Sequence, residues 1–212
     1  MDRTLELRWF INDALPDAVQ NWFDALGSAS TKERSDVYLL TDSRACNVKW
    51  RSGKIQTKRR TRMPEPSTTP TGCDGWQECW HKWSFGTGDA PPEREGNLWV
   101  PVYKSRQQIE RTLPDAIVIK IELTHVEACG ESGWSVCIEA ETESPTQPLR
   151  DALGHAKYMW MDDVPEDLPF SRDTSMGYSR WLHDVAGRPL PPVSAASDAV
   201  AGDGAATSHP PA

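Results

Sequence analysis

The chain has 212 residues, enough for one domain with a buried core plus a tail rather than for two domains. Its hydrophobic share of 38% is low and its charged share of 25% is ordinary, so ten tryptophans supply much of the apolar area open to burial. A net charge of −8 argues against non-specific binding to nucleic acid or an anionic membrane, and five cysteines without a C-x-x-C spacing argue against a zinc site or a secreted disulfide framework.

The N-terminal stretch MDRTLELRWF has no apolar run of signal-peptide length, and no segment reaches transmembrane length, so a reducing cytoplasm is the expected compartment. Residues 3–10 alternate, with Leu5, Leu7 and Trp9 on one face and Thr4, Glu6 and Arg8 on the other, which is the period of a strand. Asp13 and Pro16 open a helix over 15–27 in which Val19, Trp22, Phe23 and Leu26 share a face, and Gly27 ends it. A strand follows over 36–40, then a hairpin whose arms, 47–51 and 54–59, close around Ser52-Gly53. The segment 61–74, rich in Pro, Thr and Ser, reads as a loop. Residues 76–85 read as a strand, 86–97 as a second loop, and 98–110 as extended again.

The strongest strand patterns are 117–123, with Ile117, Ile119, Ile121 and Leu123 on one face, and 134–141, with Trp134, Val136, Ile138 and Ala140 on one face. A turn over 130–133 joins them. Helical segments over 147–156 and 173–185 close a domain spanning 1–187. The Pro/Ala-rich remainder, 188–212, has the composition of a disordered tail. About eight short strands with few helices predict an antiparallel sheet or barrel with helices packed outside.

The polar faces of these strands carry an unusually regular charge pattern. They present Glu6 and Arg8; Lys49 and Arg51; Lys54, Gln56 and Lys58; Glu78 and Lys82; Lys104 and Arg106; Lys120 and Glu122; Glu139 and Glu141. One reading is a solvated sheet face with weak cross-strand ion pairs. The other is that these faces meet inside a barrel, where clustered lysines and arginines need a buried anion as compensation. A chain of phosphates meets that need, and the glutamates would hold a hard divalent cation through oxygen.

Taken in order over residues 3–183, these motifs resemble the CYTH superfamily, the triphosphate tunnel metalloenzymes. Leu5-Glu6-Leu7-Arg8 stands where that family has its opening E-x-E-x-K strand. Val48-Lys49-Trp50-Arg51 resembles its R-x-R strand, Gln56-Thr57-Lys58 the E-x-K strand after it, and Lys82 and Lys104-Ser105-Arg106 the next basic strands. Lys120-Ile121-Glu122 and Ile138-Glu139-Ala140-Glu141 resemble the acidic strands, and Gly177 to Leu182 the closing S-Y-x-x-L helix.

The resemblance implies an α+β, mainly β fold: an eight-stranded antiparallel closed barrel with peripheral helices. It implies a metal-dependent phosphohydrolase acting on inorganic tripolyphosphate or on an organic or nucleoside triphosphate, with an RNA 5′-triphosphate end as the one nucleic-acid ligand admitted. Arg8, Lys49, Arg51, Lys58, Lys82, Lys104, Arg106 and Lys120 would bind phosphate; Glu6, Glu122, Glu139 and Glu141 would hold Mg²⁺ or Mn²⁺; and one of Glu6, Glu139 and Glu141 would orient the attacking water. Thr4 replaces the family's first glutamate and Gln56 a frequent later one. A tunnel that binds triphosphate or polyphosphate without turnover therefore stands beside the enzyme as an expectation.

Three other features are assigned to packing. Trp76, Trp80 and Trp83 share a strand and are expected in the core or at a barrel rim. His81 faces away from the charged set, and Cys137, although on the face of Glu139, reads as a small buried thiol. No G-x-x-x-x-G-K-[ST] or G-x-G-x-x-G motif is present.

Overall fold

The computed structural model describes residues 2–12, 14–88, 98–144, 148–165 and 168–187. Asp13, most of the second predicted loop and the predicted tail lie outside the described residues. The elements in chain order are β1 (Asp2–Ile11), α1 (Asp17–Ala25), β2 (Ser30–Leu39), β3 (Cys46–Arg51), β4 (Lys54–Arg60) and β5 (Glu65–Thr68). They continue with β6 (Asp74–Gly86), β7 (Trp99–Thr112), a 3₁₀ turn (Pro114–Ala116), β8 (Val118–Ala128), β9 (Glu131–Thr142), α2 (Leu149–Trp160) and α3 (Tyr178–Val185).

Neighbouring strands run β1-β9-β8-β7-β2-β3-β4-β6, and β6 returns to β1 through the register Asp2↔Lys82 to Leu7↔Gln77. Every pairing is antiparallel, so eight strands close a ring and no unpaired edge is left along it. β5 pairs with β6 from Glu65↔Gln77 to Thr68↔Asp74, continuing the wall where β4 ends. Two hairpins fix the register. Ser52-Gly53 (φ 49° and 73°) and Cys129-Gly130 (φ 57° and 85°) place two successive residues at positive φ, the geometry whose twist matches the flanking strands.

Several boundaries differ from the sequence expectation, among them the start of β9 at Glu131, inside the turn expected over 130–133. β2 begins at Ser30 rather than at 36, because its first half is polar on both faces and shows no apolar alternation. The 61–74 loop contains the four-residue strand β5. The two late helices run Leu149–Trp160 and Tyr178–Val185, later than predicted at their starts.

The apolar residues form two clusters on opposite sides of the wall. Outside, Leu5, Leu7 and Trp9 of β1, Ile119, Ile121 and Leu123 of β8 and Val136 and Ile138 of β9 pack under α1 (Val19, Trp22, Phe23) and α2 (Leu153, Ala156, Trp160). The second cluster is inside, at one end of the barrel: Phe10, Tyr38, Val100, Val102 and Val126 meet Trp181 and Leu182 of α3. Thus α3 is a plug and not one of the outer helices that the sequence pattern suggested. Its approach is set by Thr174 to Met176, which hydrogen-bonds β1 at Phe10 (2.9 Å) and Arg8 (3.1 Å) just past the last β1–β6 pair. Gly75 keeps β6 close to this segment, since a Cβ there would sit 2.6 Å from Leu7 Cδ1. No helix among the described residues is long and apolar enough to cross a membrane.

The plug generates a stability prediction. Trp181 is 2% exposed and stacks on Phe10 at 5.1 Å between centroids and 9° between planes. Trp181→Ala should cost about 3–5 kcal/mol in urea unfolding; a loss below about 1 kcal/mol would mean that the end of the barrel is not packed as described.

Candidate functional site

With the apolar side of the wall turned outward, period two leaves the other side chains facing the barrel interior. They enclose a cavity of about 350 Å³ lined by ten lysine and arginine side chains and five glutamates. The volume is within the ~300–1,000 Å³ of small-molecule sites. The lining is therefore rich in positive charge although the whole chain carries −8.

All twelve residues singled out from the sequence line this one cavity: Glu6, Arg8, Lys49, Arg51, Lys58, Lys82, Lys104, Arg106, Lys120, Glu122, Glu139 and Glu141. Lys32 and Arg34 of β2, Gln108 and Glu110 of β7, and Tyr38, Trp80 and Tyr178 join them. Lys32 and Arg34 fall before the strand expected over 36–40, whereas Asp36 falls inside it and is buried behind the lining. The alternation Lys32, Arg34, Asp36, Tyr38 was the available signal. Trp80 is buried, as expected, and also borders the cavity beside Gly177, where a Cβ would lie 3.6 Å from its ring and 2.9 Å from Glu78 Oε2.

The strand registers set like charges side by side. Lys104 is directly opposite Arg34, Arg106 opposite Lys32, and Lys58 opposite Lys82. Glu6 has Glu78 on one side and Glu139 on the other. Pairs of this kind destabilise a sheet unless other charges answer them, and the cavity supplies those charges across its width. Lys58 pairs with Glu6, Arg106 with Glu122 at 2.6 Å, and Lys82 with Glu141 at 2.9 Å and Asp2 at 3.0 Å. Lys120 also pairs with Glu141, and Arg8 lies 3.7 Å from both Glu6 and Glu122. On β2, Asp36 meets Lys49 at 3.0 Å, Lys104 at 3.5 Å and Arg34 at 3.6 Å.

These pairs separate the carboxylates chemically. Burial alone would raise Glu6, but the charges of Lys58 and Arg8 and the hydrogen bonds from Lys58 and Thr4 bring it down to about 2. Burial likewise opposes ionisation of Glu141, and Lys120 and Lys82 hold it at about 2. Glu139 behaves in the opposite way. Burial raises it to about 7; Lys58 opposes the rise, while Glu6, Glu122 and Glu141 add to it. Among the described residues Glu139 makes no ion pair or hydrogen bond, although it is only 8% exposed.

Oxygen donors for a hard cation do converge here. Ligand atoms of Glu6, Glu139 and Cys137 lie within 4.8 Å of one another. The two carboxylates suit Mg²⁺ or Mn²⁺. The Cys137 thiol, which burial pushes up, stays protonated and acts as packing. Glu122 and Glu141 border the same space but are engaged by Arg106, Lys82 and Lys120. Thr4 stands beside Glu141 on the next strand, and its hydroxyl donates to Glu6 Oε1 at 3.0 Å. It therefore orients one carboxylate where the family resemblance expected another. Gln56 lines the wall and donates to Ser84 Oγ at 3.4 Å.

At the inner end Lys104 is 1% exposed, donates to the Tyr38 hydroxyl at 2.7 Å and lies 3.5 Å from the centre of the Tyr178 ring. Burial pushes its ammonium well below the ordinary lysine value, with Asp36 opposing that shift. Cation–π contacts and the Asp36 ion pair are thus what keep a charge at the inner end of the cavity.

The Glu139 shift fixes the sign of a pH effect. Because its folded value lies above the ordinary 4.5, the stability it contributes is complete below about pH 4.5 and is lost as pH rises through about 7. Urea titrations in chelator should show that decline, and Glu139→Gln should flatten it. An unchanged slope in the variant would remove Glu139 as its source.

No protein-family model and no curated protein matches the chain. Sixteen solved chains match. One is a putative adenylyl cyclase from Hippeastrum, HpAC1, described as having a dominant triphosphatase activity; it is 15% identical, with 90% of this chain and 98% of that one covered and a TM-score of 0.43. At that level of likeness, what individual residues do is argued from the geometry of this chain alone. A closed eight-stranded antiparallel barrel with a charged interior is the architecture that the sequence resemblance to the triphosphate tunnel superfamily implied.

Proposed function

We propose that the barrel is a metal-dependent phosphohydrolase acting on a triphosphate, either inorganic tripolyphosphate or the triphosphate group of an organic or nucleoside substrate. The observation that carries this reading is the convergence of ten basic side chains and five glutamates on one cavity of about 350 Å³. Each internal ion pair there can be replaced by a better one. A divalent cation would engage Glu6 and Glu139, and a phosphate chain would engage the lysines and arginines so released. No buried charge is then left unanswered.

Bound Mg²⁺ or Mn²⁺ would neutralise charge on the phosphate oxygens. The remaining work falls to the chain's own residues. Arg51, Lys58, Lys82, Arg106 and Lys120, with Arg8, Lys49 and Lys104 deeper in, hold the phosphates and stabilise charge that grows on the leaving group. Glu139, the carboxylate without a basic partner, orients water toward the terminal phosphorus. Water oxygen forms the new P–O bond, the bond to the neighbouring phosphate breaks, and the water's proton passes to a carboxylate.

Thr4 favours a second reading, in which the tunnel binds triphosphate without turning it over, because a hydroxyl occupies a position that would otherwise hold a carboxylate. Phosphate release from tripolyphosphate and nucleoside triphosphates with Mg²⁺ or Mn²⁺ separates the two. The enzyme reading expects release that chelator abolishes and that Glu139→Ala/Glu141→Ala lowers by at least about 10²-fold. Equal activity in that variant would sink the assignment. Calorimetric binding with no release would establish the binder, with stabilisation of about 2.7 kcal/mol at a hundredfold excess over Kd.

A further inference from the structure

The ion pairs of the cavity fall into two sets on opposite walls. Glu6, Glu122 and Glu141 lie on β1, β8 and β9, the wall where a divalent cation would bind, and a cation held by Glu6 and Glu139 would release Lys58 to a ligand. Asp36 lies on β2, the strand opposite β1 in the ring. It is fully buried, and its Oδ2 alone faces Lys49, Lys104 and Arg34 at 3.0, 3.5 and 3.6 Å. Its Oδ1 is buried without a hydrogen-bond partner. Three cations, with hydrogen bonds from Lys49 and the Tyr38 hydroxyl to the same oxygen, answer this charge, and metal binding on the far wall would not remove it.

The position of Asp36 along the strand adds a direction. Toward the plug stand Tyr38 and, behind it, Tyr178 and Trp181 of α3, which close the barrel. Away from the plug stand Arg34 and Lys32. Lys32 and Arg51 make no ion pair among the described residues, so the unanswered positive charge is at the end away from α3. A polyanion drawn in by that charge advances along the cavity to Arg34, Lys49 and Lys104, whose charge the Asp36 carboxylate, buried behind them, already answers. Further advance would bring two like charges together in a poorly hydrated space, which costs several kcal/mol.

We propose that Asp36 is a resident counter-anion that caps the inner end of the cavity, so that the barrel grips a short terminal di- or triphosphate group and gains nothing from further phosphates. The proposal rests on the triphosphate reading above and deepens it. Asp36 does for the inner lysines what an additional phosphate would otherwise do. Burial would raise this carboxyl, but the charges of Lys104, Lys49 and Arg34 outweigh that and hold it well below the ordinary range, so it carries its charge at any working pH.

The test is a chain-length series. Binding of pyrophosphate, tripolyphosphate and a longer linear polyphosphate is measured by calorimetry for the unaltered chain and for Asp36→Asn, in chelator to suppress turnover and again with Mg²⁺. The unaltered chain should gain affinity up to tripolyphosphate and then level off. Asp36→Asn should continue to gain, by at least about tenfold for the longer chain, with little change for pyrophosphate. If Asp36→Asn fails to fold without an anion, the same series is read as the polyphosphate concentration that restores its melting transition, with longer chains effective at lower concentration. Asp36→Glu, which keeps the charge, should retain the levelling-off. A length profile in Asp36→Asn that matches the unaltered chain overturns the role of Asp36 and leaves the triphosphate reading intact. Absence of binding to any of the three anions, by every variant and with or without Mg²⁺, overturns the triphosphate reading itself.

Discussion

The rest of this structure depends on one constraint, that charges buried inside a closed barrel must be answered. A ring of eight strands has an inside that water cannot freely screen, and here the inside carries lysines and arginines in directly opposed pairs. Each would be unfavourable on an isolated sheet. What makes them tolerable is the reach of carboxylates across the barrel: Glu6 to Lys58, Glu122 to Arg106, Glu141 to Lys82 and Lys120, Asp36 to three cations at once. Ion pairs of this kind do little for net stability compared with an apolar filling of the same shape.

The location of the hydrophobic core follows from the same constraint. Because one face of β1, β8 and β9 is given to charge, their apolar faces must be covered from outside, and α1 and α2 cover them. Only at the end where Phe10, Val100, Val102 and Val126 replace the charged residues does the interior become apolar, and α3 fills it. The barrel thus has a packed end and a charged length, and polarity along its axis is built into the strands residue by residue. Tyr38, Tyr178 and Lys104 mark the junction, where aromatic rings meet the last cation.

Within the charged length the carboxylates are not equivalent. Glu6 and Glu141 are ionised well into acid because basic side chains touch them, whereas Glu139, with no such partner, is held near neutral by burial. The difference arises from which strand faces which. Thr4 takes part by donating its hydroxyl to Glu6.

The sequence by itself determined the strand periodicity, and with it the division of each strand into an apolar and a charged face. That was enough to select twelve of the cavity's residues, since alternation is a local property written in successive side chains. It was also enough to place the two hairpins, because Gly53 and Gly130 provide the positive φ such turns require. The polar half of β2 was hard to read because both of its faces are hydrophilic, so Lys32 and Arg34 lacked the apolar contrast that marked the strand from Asp36 onward. The role of α3 was hidden for a related reason: an amphipathic helix has the same pattern whether it covers a wall or fills its end. Only the tertiary structure decided that the charged faces meet one another instead of water, that Asp36 is paired with three cations, and that Glu139 makes no ion pair among the described residues. Those are relations between strands distant in the chain, fixed by register and by closure of the ring, and no local pattern encodes them.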